Sequence, residues 1–215
     1  MGLTLMARLG RALRSTGYVE FVANQCLLFN HYLQDSEDGL VYHGYNDADK
    51  HHSCCKWGRA NGWSITASVE VLLALQEFKD IMPSKWSGVL KIFQTHASGM
   101  LRYQSTDGRW RQVVNESSTY LETSVTAMTL SALSRAVTQG WLDKEKYGPK
   151  LDLAWEGLQG VLQADGTVDG VCTGTGIQTC VEDYEKRPTP YLNSRNGGVG
   201  SVLHAAVHYY QFKNM

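Results

Sequence analysis

The chain has 215 residues, 43% of them hydrophobic and 19% charged, with a formal net charge of −1. That balance is too apolar for a disordered chain and long enough for one compact unit with a sizeable core. A near-neutral charge gives no global field to recruit nucleic acid or an anionic membrane, and no apolar run is long enough to span a bilayer. Neither is expected as a partner.

Residues 1–14 place Met1, Leu5, Met6, Leu9 and Leu13 at helical spacing, with arginines inside the pattern rather than ahead of an apolar stretch. This is an amphipathic helix, not a signal peptide. A second helical pattern runs from about Tyr18 to Leu33, and Asp38-Gly39 and the extended LVYHGY follow it. The order then recurs. Helices near 62–78 and 87–103 precede Asp107-Gly108 and RWRQVV, and helices near 119–139 and 147–163 precede Asp165-Gly166 and TVDGVC. The 182–190 stretch, EDYEKRPTP, reads as a loop over the rim, and a last helix near 198–212 has no partner after it.

The unit of two helices, an Asp-Gly turn and a short strand thus appears three times. Glycine after aspartate permits the positive φ of a tight turn, and an isolated helix pair cannot bury its apolar face. The pattern predicts an all-α array of stacked helical hairpins, closed into a ring or left as an arc, with the extended pieces gathered at one rim.

Several residue groups at that rim carry chemistry. HHSCC (51–55) has the ligand types for zinc, but adjacent His-His and Cys-Cys pairs lack the spacing for one tetrahedral ion. Loop filling is the preferred reading. The five cysteines (26, 54, 55, 172, 180) are odd in number and unevenly spaced, which fits free thiols or at most one optional bridge. In KWGRANGW (56–63), Trp57 and Trp63 offer flat faces for a sugar ring, and Arg59 offers a planar fork for a carboxylate. The same three residues also suit buried packing, with Arg59 capping a carbonyl. His43 lies on the extended piece opposite Tyr42. Glu122 is either a general base or favourable charge in a first helical turn after Ser117, Ser118 or Thr119, and the second reading is preferred. GVCTGTG and NGGVG lack the Lys-Ser/Thr ending of a phosphate loop and read as tight rim loops.

Taken in order, DGLVYHGY (38–45), KWGRANGW (56–63), DGRWRQVV with YLETSVTAM (107–128), DGTVDGVCTGTG (165–176), and YEKRP with NGGVG (184–200) resemble the unsaturated rhamnogalacturonyl hydrolases of glycoside hydrolase family 105, relatives of family 88. The resemblance covers nearly the whole chain. It implies an α/α barrel of six helical hairpins with its active site at the rim, of which about seven helices are present here as one domain over residues 1–215. It also implies that Met1, His43, Trp57, Arg59 and Trp63 line the substrate pocket. The ligand implied is an oligosaccharide ending in 4,5-unsaturated galacturonic acid, with no cofactor and no metal.

The chain departs from that pattern at its start. The family's catalytic aspartate precedes a Met-Gly pair, and here Met1-Gly2 occupy that position, so the acid is expected upstream of residue 1. The chain therefore reads as the C-terminal part of a longer enzyme, inactive as it stands and open on one side. Asp35, Asp38 and Asp47 lie near the rim but match no family position. A non-catalytic carbohydrate-binding or decayed homologue is the alternative.

Overall fold

A computed structural model describes residues 1–189 and 198–215, and most of these are helical. The first pair is α1 (Gly2–Ala12) and α2 (Thr16–Leu33). Two-residue strands β1 (Tyr45–Asn46) and β2 (His51–His52) pair antiparallel and lead into α3 (Gly58–Leu75). A 3-10 turn over Gln76–Phe78 connects to α4 (Pro83–Arg102), where Pro83 opens the helix at a position whose missing N–H needs no partner. Strands β3 (Trp110–Arg111) and β4 (Leu121–Glu122) pair antiparallel ahead of α5 (Thr123–Thr138), and α6 (Lys144–Gln159) follows, capped by the Asp143 carboxylate. Short α7 (Val181–Glu185) and long α8 (Gly198–Lys213) complete the described residues.

All seven expected helices are present, with shifted ends. α3 begins at Gly58 rather than near 62, because the chain leaves its extended pairing there. α5 begins at Thr123 rather than near 119, because residues 121–122 pair with 110–111 first. Part of the 182–190 stretch expected as a loop is α7.

The three Asp-Gly turns adopt the expected geometry, with φ of 79° at Gly39, 86° at Gly108 and 85° at Gly166. Each of the first two rests on a glycine of the following outer helix. A Cβ on Gly99 of α4 would collide with the Asp38 carbonyl, and one on Gly157 of α6 would collide with the Asp107 carbonyl. The third turn has no such seat, for no described atom lies within 4 Å of a Cβ built on Gly166.

The helices form two layers. α1, α3, α5 and α8 pack side by side in one row, and α2, α4 and α6 pack on its back. α5 is buried along most of its length because α3, α6 and α8 cover it, and its Ser124, Thr126, Thr129 and Ser134 are enclosed with the apolar residues. The ends of the rows are uncovered. Leu5 and Leu9 of α1, Phe21 and Phe29 of α2, and Leu203 and Tyr210 of α8 are exposed. No helix among the described residues is long and apolar enough to cross a membrane.

Candidate functional site

The KWGRANGW segment is the hinge between rim and helix. Gly58 N donates to Gln112 O at 2.7 Å and Val114 N to Lys56 O at 3.0 Å, so residues 56–58 run antiparallel to 112–114 before α3 begins. Gly58 allows that approach, since a Cβ there would stand 2.6 Å from the Arg111 carbonyl oxygen. Lys56 is buried and reaches both Asp35 and Asp38 at 2.6 Å. The hydrogen bond from Lys56, helped by the Glu37 N–H, holds the Asp35 carboxyl down at about 2. Asn61 accepts from Val41 N at 2.9 Å and donates to Val41 O at 3.0 Å, while His96 Nε2 donates to the Asn61 Oδ1 at 3.0 Å. Together Lys56 and Asn61 fasten the first Asp-Gly hairpin to α3.

Arg59 sits in the first turn of α3 and is almost fully buried. Its Nε donates to Ser124 Oγ at 2.8 Å, and its Nη2 donates to Glu122 Oε1 at 3.2 Å and to the Cys172 carbonyl. Glu122 is wholly buried and also accepts from Ser124 Oγ, Val125 N at 2.8 Å and Cys172 N at 2.9 Å. The guanidinium carbon lies 5.5 Å from the Trp57 ring, and Nη1 makes no hydrogen bond among the described residues. Both readings of Arg59 thus have a physical basis: one edge caps a carbonyl, and one edge is spare.

His43 packs on Trp57 with ring centroids 4.6 Å apart, and its Nδ1 lies 2.7 Å from the Tyr184 hydroxyl of α7. Burial pulls the His43 imidazole below its ordinary pKa, so the ring is neutral around pH 7. Trp57 is 7% exposed, and its indole N–H has no partner among the described residues. Trp57 is therefore a packed floor rather than an open wall.

Trp63, about one turn beyond Arg59 on α3, is half-buried and stands between two cavities. One, of about 390 Å³ between α1, α2 and α3, has Met1, Phe29 and Ser68 in its lining. The other, of about 320 Å³, runs between the four helices of the front row, and its lining includes Thr4, Thr66, Ser131, Ser201, Arg8 and Arg135. There Arg8 Nη2 and Arg135 Nη1 both donate to Glu70 Oε1, at 2.7 and 2.6 Å. Burial opposes ionisation of Glu70, but these two hydrogen bonds prevail and keep its pKa low.

The structure therefore brings His43, Trp57 and Arg59 into one cluster and places Trp63 and Met1 on a common cavity. Glu122 is the N-cap of α5 itself, not a residue within its first turn, and it is the partner of Arg59. Asp35 and Asp38 are tied to Lys56, while Asp47 pairs with Lys50 at 2.6 Å in the exposed hairpin. His51 and His52 are exposed strand residues, and no group of metal-holding residues occurs among the described residues. Of NGGVG, residues 198–200 begin α8 and 196–197 lie outside the described residues. Tyr184, Asn61 and the Arg8–Glu70–Arg135 set were not singled out from sequence. Only the i, i+5 spacing of Lys56 and Asn61 inside a noted motif could have drawn attention to them.

The family model described as Glycosyl Hydrolase Family 88 matches residues 1–213. The chain is 29% identical over 199 residues to the unsaturated rhamnogalacturonyl hydrolase YesR of Bacillus subtilis, covering 92% of this chain and 54% of that protein. It is 33% identical over 120 residues to the unsaturated 3S-rhamnoglycuronyl hydrolase of Formosa agariphila, covering 54% of this chain and 30% of that one. Its fold superimposes with a TM-score of 0.89 on a possible member of the GH105 family from Salmonella enterica, at 22% identity, over 100% of this chain and 55% of that one. The chain thus spans about half the length of YesR and of the Salmonella protein, and its all-α architecture is that of the six-hairpin α/α toroids.

Proposed function

The chain belongs to glycosyl hydrolase family 88, and on that premise we propose that it is the C-terminal part of a barrel that hydrolyses oligosaccharides ending in 4,5-unsaturated galacturonic acid. Rhamnogalacturonan and pectin fragments left by lyases carry that end group. The observation that carries this reading is Arg59, whose guanidinium is locked by Glu122 and Ser124 with Nη1 unpartnered among the described residues, beside Trp57 and about one turn from Trp63. An Nη1 held in place can donate to a carboxylate oxygen, and the partly exposed indole of Trp63 fits the C–H face of a sugar ring. Met1, His43, Trp57, Arg59 and Trp63 together form the substrate-binding set.

The chemistry differs from two-carboxylate glycoside cleavage. The C4–C5 double bond of the unsaturated sugar is an enol ether. A general acid protonates C4 and leaves positive charge at C5, shared with the ring oxygen. The same carboxylate then takes a proton from water as that water adds to C5. The hemiketal so formed opens and releases the neighbouring sugar. No cofactor or metal takes part in this scheme. We assign the acid to an aspartate ahead of Met1, so residues 1–215 alone would hold substrate without turning it over. The unseated Gly166 turn and the exposed faces of α1, α2 and α8 support a barrel completed by further helices.

The test compares residues 1–215 with a chain extended upstream through that aspartate, on lyase-generated oligosaccharides. The ultraviolet absorbance of the conjugated acid should fall with the extended chain and persist with the short one. Persistence with both would overturn the hydrolase reading in favour of a carbohydrate-binding homologue.

A further inference from the structure

Beside the rim cluster lies a pair of thiols that the proposed hydrolysis does not use. Cys54 and Cys55 are both free, and their sulfurs lie 2.8 Å apart. Cys54 is exposed, whereas Cys55 is 2% exposed and packs with Trp57, Val113, Cys172 and Tyr184. The Cys55 carbonyl accepts from His43 N at 3.1 Å and from Ser53 Oγ at 3.3 Å. We propose that Cys54 and Cys55 form a redox-active vicinal dithiol, oxidised by low-molecular-weight disulfides, whose closure displaces the acceptor that His43 uses at the rim.

The steps follow from the unequal exposure of the two sulfurs. The Cys54 thiolate attacks one sulfur of the incoming disulfide, forming a mixed disulfide and expelling one small thiolate. Cys55 then loses its proton to solvent and attacks the Cys54 sulfur, forming the Cys54–Cys55 bond and expelling the second thiolate. Two protein thiols are oxidised and one small disulfide is reduced to two thiols. The second attack is intramolecular, so the burial of Cys55 does not prevent it, although burial raises that thiol's pKa and makes alkaline pH favourable.

The bond would be labile by construction. Adjacent residues across a trans peptide have Cα atoms about 3.8 Å apart, whereas relaxed disulfides take roughly 4.4–6.8 Å. A strained ring of this kind is readily reduced, which suits a reversible modification better than a structural bridge. Closing it must also reorient the 54–55 peptide and with it the Cys55 carbonyl. His43 would then lose its backbone anchor while its ring still rests on Trp57.

The experiment treats the reduced chain with oxidised glutathione, alkylates the remaining thiols and digests with trypsin. The peptide spanning 51–56, HHSCCK, holds both cysteines and no others. It should lose two hydrogens, resist alkylation and recover on reduction with dithiothreitol. The His43 imidazole resonance should shift on oxidation, while that of His96, which does not contact this segment, should not. Full alkylation of HHSCCK, a persistent glutathione adduct on Cys54, or a link from Cys54 to the peptide carrying Cys180 would overturn the vicinal pairing. An unmoved His43 signal in the oxidised chain would overturn the coupling to the rim. In Cys54→Ser, an exposed position, Cys55 should stay unmodified, and glutathionylation of Cys55 at the rate seen for Cys54 would contradict the order of attack.

Discussion

Glu122 and Arg59, far apart in the chain, meet at 3.2 Å inside the rim, with the carboxylate wholly buried. A buried pair of this kind is stable only when the remaining hydrogen-bonding capacity is satisfied. Here Ser124, Val125 N and Cys172 N complete the carboxylate, so one side chain caps α5, orients Arg59 and anchors the 170–176 loop.

Removing that carboxylate should therefore be costly. Glu122→Ala is expected to destabilise the fold by about 3–5 kcal/mol, because it strands a buried guanidinium. Glu122→Gln should cost less, since the amide oxygen can still cap the helix. Urea midpoints measure both, and a change in Glu122→Ala no larger than that of an exposed substitution would contradict the clamp.

Lys56 makes a similar case for Asp35. Its hydrogen bond is the largest cause of the low Asp35 pKa, so Lys56→Met should raise that pKa from about 2 toward the ordinary carboxylate value. In the unmodified chain the folded pKa is depressed. The associated stability is then complete above the unfolded pKa of about 3.9 and is lost as pH falls through the folded one. Carboxyl carbon chemical shifts followed against pH should show the move, and an unshifted Asp35 would rule out the bridge as its cause.

His96 predicts a second acid-sensitive window at higher pH. Burial lowers its pKa to about 4, and its Nδ1 has no partner among the described residues. The unfolded chain, with a histidine pKa of about 6.5, binds the proton first. Stability should therefore decline as pH falls from about 6.5 to 4, with a slope of up to about 1.4 kcal/mol per pH unit. His96→Gln keeps a donor for Asn61 and should flatten that slope. An unchanged pH profile in the variant would exclude His96 as its origin.

The uncovered ends of the helix rows predict association. Residues 1–215 alone should bind a hydrophobic dye and sediment as concentration-dependent oligomers, since exposed apolar patches of this kind seek cover. Leu203→Glu with Tyr210→Glu should reduce both effects without loss of helical circular dichroism. A monodisperse, dye-free monomer would contradict an open edge at α8.

Much of this was legible in the sequence, because the signals were local. The Asp-Gly turns declare their positive φ through glycine, and the helix pairs declare themselves by periodicity, so the layered array follows. Helix starts were less legible, because Gly58 and Leu121–Glu122 obey pairing partners that lie elsewhere in the chain. The rim cluster was half legible. Trp57, Arg59 and His43 stood out by type, but Tyr184 reaches His43 from 141 residues away, and nothing local marks it. Whether Arg59 packs or binds could not be decided from residue type, because its environment is assembled from Glu122, Ser124 and the 172 carbonyl. Among the described residues Arg59 uses two of its nitrogens for packing contacts, and its third has no hydrogen-bond partner.

The most direct test of the substrate assignment is calorimetric binding of an unsaturated galacturonyl disaccharide and its methyl ester to the chain and to Arg59→Lys. Losing one charge-assisted hydrogen bond corresponds to about ten-fold or more in affinity. The free acid should bind the unmodified chain tighter than the ester by that factor, and Arg59→Lys, which keeps a charge but removes the positioned Nη1 donor, should narrow the gap. Equal affinity for acid and ester, or an undiminished preference in Arg59→Lys, would contradict Arg59 as the carboxylate anchor.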